Sequence, residues 1–245
     1  MSGLLLLVSC LSSSEWMYRY ASAPNRENAQ FDLYDLYQDE QGQKGIVVFN
    51  DVDPSTWEGS VFIMSLDEGE DTWGPQDKEV YPITYSGLES LVWYPGYTLD
   101  INQMVHYLGR DTYPAFKWCL DKNPEGEPIH GGSWILPGIY EWYNALKDLD
   151  LDRLNSAFVS HGGVPLSGGN GYYWTASEDQ EGALSFGGGN PDNELNLDYD
   201  PRERAVMISS ELRCANNKIY WSKSLRYRIR AVRYIYCYEP YSKDK

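Results

Sequence analysis

A chain of 245 residues that is 42% hydrophobic and 15% aromatic, with 21 Tyr and 9 Trp, can build a packed core, which excludes global disorder. Its 36 Asp and Glu against 20 Lys and Arg give a formal charge of −16. That field repels phosphate backbones and anionic headgroups, so general nucleic-acid binding is excluded. The length fits one large domain or two small ones.

The chain starts with the apolar run Leu4 to Val8, followed by Ser9 and Cys10. Five apolar residues fall far short of the roughly 20 that a membrane span requires. The order Leu7, Val8, Ser9, Cys10 resembles the lipobox of bacterial lipoproteins, in which the cysteine becomes the acylated first residue of the mature protein. No basic residue precedes Leu4, whereas a complete signal begins with a basic region. Residues 1–10 therefore read as a truncated lipoprotein signal, with Cys10 as the lipidation site. The expected location is the outer membrane or cell surface, lipid-anchored rather than membrane-spanning. Residues 11–30, with Ser12 to Ser14 and Ala21 to Asn25, read as a tether.

From Phe31 the texture changes. Gly45–Phe49 and Val61–Leu66 are β-rich runs separated by the turn-rich stretch Asn50–Gly59. In the middle of the chain Asp100 is placed to cap a helix over Ile101–Leu108, with Ile101, Met104, Val105 and Leu108 at helical spacing. Tyr113–Asp121 continues as a second helix burying Phe116 with Cys119 or Leu120, and Asn123 to Gly126 stops it. The clearest helix follows Leu136. Pro137 suits its first turn, and Ile139, Trp142, Tyr143, Leu146 and Leu149 form one apolar stripe. Leu151, Leu154 and Phe158 predict a further short helix that Gly162 and Gly163 end. Beyond it, Tyr172–Ala176, Ala183–Phe186, Ala205–Ser209 and Tyr227–Tyr236 predict strands joined by long polar connections. With no internal repeat and no inner linker, residues 31–238 read as one domain and 239–245 as a tail.

Three phrases carry a family likeness: Trp134 to Pro137, Tyr173 to Ser177, and Arg228 to Arg233, with Leu154 to Leu166 between the first two. Together with Asp35 to Phe49, Met64 to Glu68 and Trp73, they resemble the bacterial C-type-lectin-like family of surface lipoproteins, related to the C-terminal domain of collagen-like surface adhesins. The resemblance implies an α+β, C-type-lectin-like fold: small twisted antiparallel sheets, two or more helices and long loops. In this reading Trp134 and Trp174 fill the core, Leu136 and Pro137 set the following helix against the sheet, and Arg230 and Arg233 pair with acidic groups or carbonyls. Were Cys10 acylated, Cys119, Cys214 and Cys237 would remain, and at most one bridge could form. The resemblance nominates Cys119 with Cys237; buried free thiols are the alternative.

Function is then expected in the loops. The segment 187–200 is rich in oxygen-bearing side chains, and Asn190, Asp192, Asn193 and Glu194 look superficially like half of a calcium-lectin sugar site. The Trp-Asn-Asp motif that completes such a site is missing, so no metal and no cofactor are expected. If calcium did bind, Asp192, Glu194 and Asp198 would supply the carboxylates. Exposed rings stack on sugar faces. Tyr199 and Trp221 are candidates, as is Tyr173, which strand alternation places opposite the buried Trp174. No nucleophile elbow surrounds Ser160 and His161, and the cysteine arrangement of formylglycine-generating enzymes, which share the broad fold, does not map onto this chain. No catalytic residue is nominated. The expected function is a non-catalytic surface lipoprotein that binds a glycan or a surface protein. The alternatives are a pilus-tip or envelope-assembly subunit, or a diversified ligand-binding protein.

Overall fold

The computed structural model describes residues 31–52, 59–78, 80, 95–167, 171–178, 204–209 and 219–237. Among them are ten strands in two five-stranded sheets. The first sheet runs in the order β1 (Leu36–Gln38), β2 (Lys44–Asn50), β3 (Gly59–Ser65), β10 (Val232–Cys237) and β5 (Trp134–Ile135), antiparallel throughout. The second runs β4 (Gly69–Thr72), β9 (Arg226–Ile229), β6 (Tyr172–Glu178), β7 (Arg204–Ser209) and β8 (Ile219–Ser222), with one parallel contact, Tyr173 beside Arg228. Among the described residues four α-helices complete the α+β architecture: α1 (Pro95–Gly109), α2 (Pro114–Leu120), α3 (Ile139–Leu146) and α4 (Leu151–Ser160).

The continuous apolar runs of β2 and β3 follow from burial on both faces. Gly45 to Val48 and Val61 to Ser65 are buried without alternation, and helices α3 and α4 pack on β2. Residues of both sheets, from Val47 and Ile63 to Trp174 and Ile229, belong to one contiguous core. Trp73, Trp134, Trp142 and Trp174 are its largest fully buried rings.

Helix α1 begins six residues earlier than the capping pattern predicts, so Asp100 lies inside it rather than at its end. Burial pushes the Asp100 carboxyl up to about 6. Helix α2 starts on Pro114, which fits the first turn because its missing N–H has no helical partner there. It buries Phe116, Cys119 and Leu120 together. Pro137 falls two residues before α3 rather than within its first turn. Helix α4 is capped by Asp150, whose Oδ1 accepts from the N–H groups of Asp152 and Arg153. Gly162, at φ +76°, takes the left-handed step that ends it.

Cys119 is a free, buried thiol, so the bridge to Cys237 is not made. Helix α2 packs on β4 and β5. The part of β10 that meets β5 is Val232–Arg233. Cys237 lies four residues beyond Arg233, opposite Gly59, a displacement of about 13 Å at 3.3 Å per residue. Among the described residues no helix is long and apolar enough to cross a membrane.

The expected strand Tyr227–Tyr236 is two strands in two sheets. The chain leaves β9 at Ile229 and enters β10 at Val232, and Arg230 and Ala231 make the crossing. Arg230 is 0% exposed. Its Nη1 donates to Ser65 O at 2.9 Å and Leu66 O at 3.4 Å; its Nη2 donates to Val164 O at 2.8 Å and Glu68 Oε2 at 2.9 Å. The guanidinium also lies 4.7 Å from the Phe158 ring centroid. Ala231 is fastened beside it: its carbonyl accepts from Ser65 N–H and its N–H donates to Ser65 Oγ. Simple alternation along one strand cannot satisfy so many fixed acceptors, so the strand breaks where the arginine turns inward.

A second buried polar group secures α3. Glu141 is 1% exposed; Thr98 Oγ1 donates to its Oε2 at 2.9 Å and the Tyr234 hydroxyl donates to its Oε1. Residue 138 must be glycine, because a Cβ there would stand 2.3 Å from Thr98 Oγ1 and 2.8 Å from Glu141 Oε2. Burial raises the Glu141 carboxyl above its ordinary value, and the bonds from Tyr234, its own backbone, Thr98 and Gly138 oppose that rise only in part. A carboxyl raised on folding contributes stability fully below its unfolded value and loses it as pH rises through the folded one. Glu141→Gln removes that titration. Thermal melts should therefore show the variant gaining on the wild type as pH rises above the ordinary carboxyl value of 4.5; a difference independent of pH would contradict the assignment.

Candidate functional site

The first sheet carries a cleft of about 610 Å³, within the range of small-ligand sites. One wall is the end of β1 and the turn after it, with Gln38, Glu40 and Gln41 exposed. The other is the segment between α2 and β5, with Pro124, Glu127 and the half-buried His130. The floor is Tyr37, Asp39, Trp134 and Arg233.

Asp39 organises this floor. Its Oδ1 accepts from the N–H groups of Gln41 at 3.1 Å and Gln43 at 2.8 Å, which folds the β1–β2 turn. Its Oδ2 accepts from Trp134 Nε1 at 2.9 Å and from Arg233 Nη1 at 2.7 Å. Strands β1 and β10 are three positions apart in the sheet, a spacing of about 14 Å. Twist and two long side chains close that gap, so one carboxylate joins one edge of the sheet to β10 and to β5 at the other. The Arg233 guanidinium lies 5.8 Å from the Tyr37 ring centroid. Burial raises the Tyr37 phenol above its ordinary value, Arg233 opposes this, and Asp39 and Glu40 add to it.

On the opposite wall Asn123 fixes β5: its amide donates to Leu120 O and Trp134 O, and its Oδ1 accepts from Trp134 N–H at 2.7 Å. Ser133 Oγ accepts from His130 N–H at 3.0 Å. His130 Nδ1 accepts from Gly132 N–H at 3.0 Å, which leaves the neutral ring's proton on Nε2. Burial pushes the imidazole below its ordinary value; Arg233 acts in the same direction and Glu127 opposes it. No side-chain partner among the described residues holds Gln38, Glu40, Gln41 or Glu127. Asp39 and Asn123 fix the frame, within which Arg233 Nε has no partner among the described residues, while the walls keep free donors and acceptors.

Of the predicted site residues, the two that are described, Tyr173 and Trp221, do not line this cleft. Tyr173, expected at the surface, is 0% exposed. Its hydroxyl donates to Glu68 Oε2 at 2.6 Å and accepts from Ser167 N–H at 3.0 Å, and its ring packs 5.0 Å from that of Trp142. Alternation fails because both faces of β6 are covered: Trp142 of α3 lies against Tyr173, and Tyr227 of β9 lies against Trp174. Trp221, assigned to a loop, is in strand β8 opposite Ala205. Cys10, Asn190, Asp192, Asn193, Glu194, Asp198 and Tyr199 lie outside the described residues. Among the described residues no group of three or more His, Cys, Asp or Glu is placed to hold a metal. The sequence reading named Arg233 but missed Asp39, Glu127 and His130. Two local signals marked their segments: the turn Asp39 to Gly42 between hydrophobic runs, and the His130-Gly-Gly132 stretch just before Trp134.

Removing the Asp39 carboxylate strands a mostly buried guanidinium and an indole N–H together. Asp39→Ala should lower stability by about 2–4 kcal/mol in urea denaturation, and Asp39→Asn by less because it keeps the turn acceptor. A loss under about 0.5 kcal/mol for the alanine variant would show that the floor does not depend on this residue.

No family model matches the chain, and none of the curated proteins matches it. Among solved structures, a fimbrial protein from Bacteroides ovatus ATCC 8483 is similar at a TM-score of 0.42 and 16% identity, over 70% of this chain and 35% of that one.

Proposed function

We propose that this chain is a non-catalytic surface protein whose cleft between the β1–β2 turn and the α2–β5 segment takes a glycan. One observation carries the reading: among the described residues Gln38, Glu40 and Gln41 on one wall and Glu127 on the other have no side-chain partner, and they flank a floor fixed by the bonds of Asp39 to Trp134 and Arg233. Sugars are recognised by planar polar groups that exchange water for ring hydroxyls, and a preorganised floor lowers the entropic cost of that exchange. A concave, polar-walled site suits a saccharide better than a protein surface, which needs a wider patch with an apolar centre. A catalytic reading fits less well, since Ser133 Oγ and His130 Nδ1, the cleft's hydroxyl and imidazole, each accept from a backbone N–H and do not face one another as nucleophile and base. In this reading the α+β arrangement is a variant of the C-type-lectin-like fold. The burial of Trp134 and Trp174 and the pairing of Arg230 and Arg233 support it, because these residues serve as framework.

A glycan array with the folded chain tests the proposal. Gln38→Ala with Glu127→Ala, both at exposed positions, should reduce binding about tenfold or more while leaving the melting temperature within a degree or two. Absence of binding at millimolar glycan, or binding that ignores both substitutions, would remove the cleft from consideration.

Display at the surface rests on Cys10 and the apolar run before it. Cys10→Ala should abolish labelling by a fatty-acid probe in cells and move the protein out of the membrane fraction. Labelling that persists in the variant would contradict the anchor.

A further inference from the structure

We propose that the cleft discriminates by charge, taking glycans that carry a protonated amine in preference to their N-acetylated forms and refusing carboxylated ones, because Asp39 and Asp67 pair with its two cations while Glu40 and Glu127 line it with no cationic partner among the described residues. This rests on the glycan reading of the cleft and adds the ligand's chemical class.

Two cationic side chains line the cleft, Lys122 and Arg233. Either would ordinarily receive an anionic ligand, Arg as a bidentate fork and Lys as a point charge. Both are already paired with an acid. Arg233 is held at 2.7 Å by Asp39, whose side chain is 3% exposed, so no solvent-borne anion competes for that position on equal terms. Lys122 is 9% exposed; its Nζ is 2.5 Å from Asp67 and 4.1 Å from the centroid of the Trp118 ring. The acidic liners differ: Asp39 is consumed by Arg233, whereas Glu40 and Glu127 have no cationic partner among the described residues and both are exposed.

An incoming carboxylate would meet two like charges and two cations already neutralised. An ammonium group would meet two free carboxylates. Gln38 and Gln41 serve the sugar hydroxyls in either case, so charge alone separates the ligands. Electrostatic preference of this kind is set as much by repulsion of the wrong ligand as by attraction of the right one. Asp39 and Asp67 are thus positioning residues that also determine specificity, through the cations they occupy.

The test uses matched oligosaccharides on gluco-, galacto- and manno- backbones, each as free amine, N-acetyl and uronate forms, titrated calorimetrically into the folded chain. For the backbone that binds, the amine form should bind roughly fivefold tighter than the N-acetyl form at low salt, since exposed pairs are individually weak. The difference should shrink at 0.5 M salt, and the uronate should be weakest. Glu40→Gln with Glu127→Gln should abolish the amine preference, bringing the amine and N-acetyl forms to equal affinity. Asp67→Asn, at an exposed position, should free Lys122 and raise uronate affinity severalfold; Asp39→Asn should do the same through Arg233 if it remains folded by its melt. Equal binding of the three forms, or tightest binding of the uronate, overturns the charge rule and leaves the glycan reading standing. No binding of any form on any backbone overturns both.

Discussion

The structure turns on one buried guanidinium. Arg230 has no exposed surface, and its two terminal nitrogens are shared among the carbonyls of Ser65, Leu66 and Val164 and the carboxylate of Glu68. Burying an unpaired charge costs several kcal/mol, so this side chain can be inside only while every one of those acceptors is in place. Glu68 extends the network to the Tyr173 hydroxyl and to Arg228 Nε at 3.1 Å. The β3–β4 turn, the loop after α4, strand β6 and strand β9 are therefore held to a single point. Lysine could not substitute, because a planar fork is needed to reach carbonyls on two sides at once.

The same point directs the chain between sheets. Strand β9 belongs to the second sheet and β10 to the first, and only Arg230 and Ala231 separate them. Three residues beyond the buried arginine, Arg233 emerges on the cleft floor and meets Asp39. Framework and site are thus consecutive in sequence and linked in mechanics. A cleft whose floor is tied to the core through one strand is preorganised, while its walls, carried by a turn and a loop segment, can vary without disturbing the fold. The exposed polar groups sit on those walls.

Much of the framework was legible. Continuous apolar runs gave β2 and β3, helical spacing gave α2, α3 and α4, and paired glycines ended α4. The prediction that Arg230 and Arg233 would find acids or carbonyls also holds, since long cationic side chains within an apolar strand context have few other options. The misreadings share a cause. Tyr173 was placed outside by alternation, which assumes one wet face, yet β6 is covered on both. The Tyr227–Tyr236 run was read as one strand because both halves have strand composition, and composition does not record a change of sheet. Asp100 looked like a cap because it precedes a periodic stretch; the helix had begun before it. The Cys119 pairing came from likeness, and register along β10 keeps the two cysteines apart.

What the sequence determined by itself is the balance of local forces: an acidic chain with enough aromatic mass for a core, helices where apolar residues recur every three to four positions, strands where β-branched residues cluster, and turns where Gly, Asn and Asp collect. Those are properties of neighbours along the chain, and periodicity reports them directly. The tertiary structure alone decided which polar residues meet. Asp39 and Arg233 are 194 residues apart, Glu68 and Arg230 are 162 apart, and Tyr173 and Glu68 are 105 apart. Pairings at such separations depend on sheet order and register, which arise from the summed burial of the whole core rather than from any local pattern. The cleft was invisible in the sequence for that reason, although nearly every residue that builds it was in plain view.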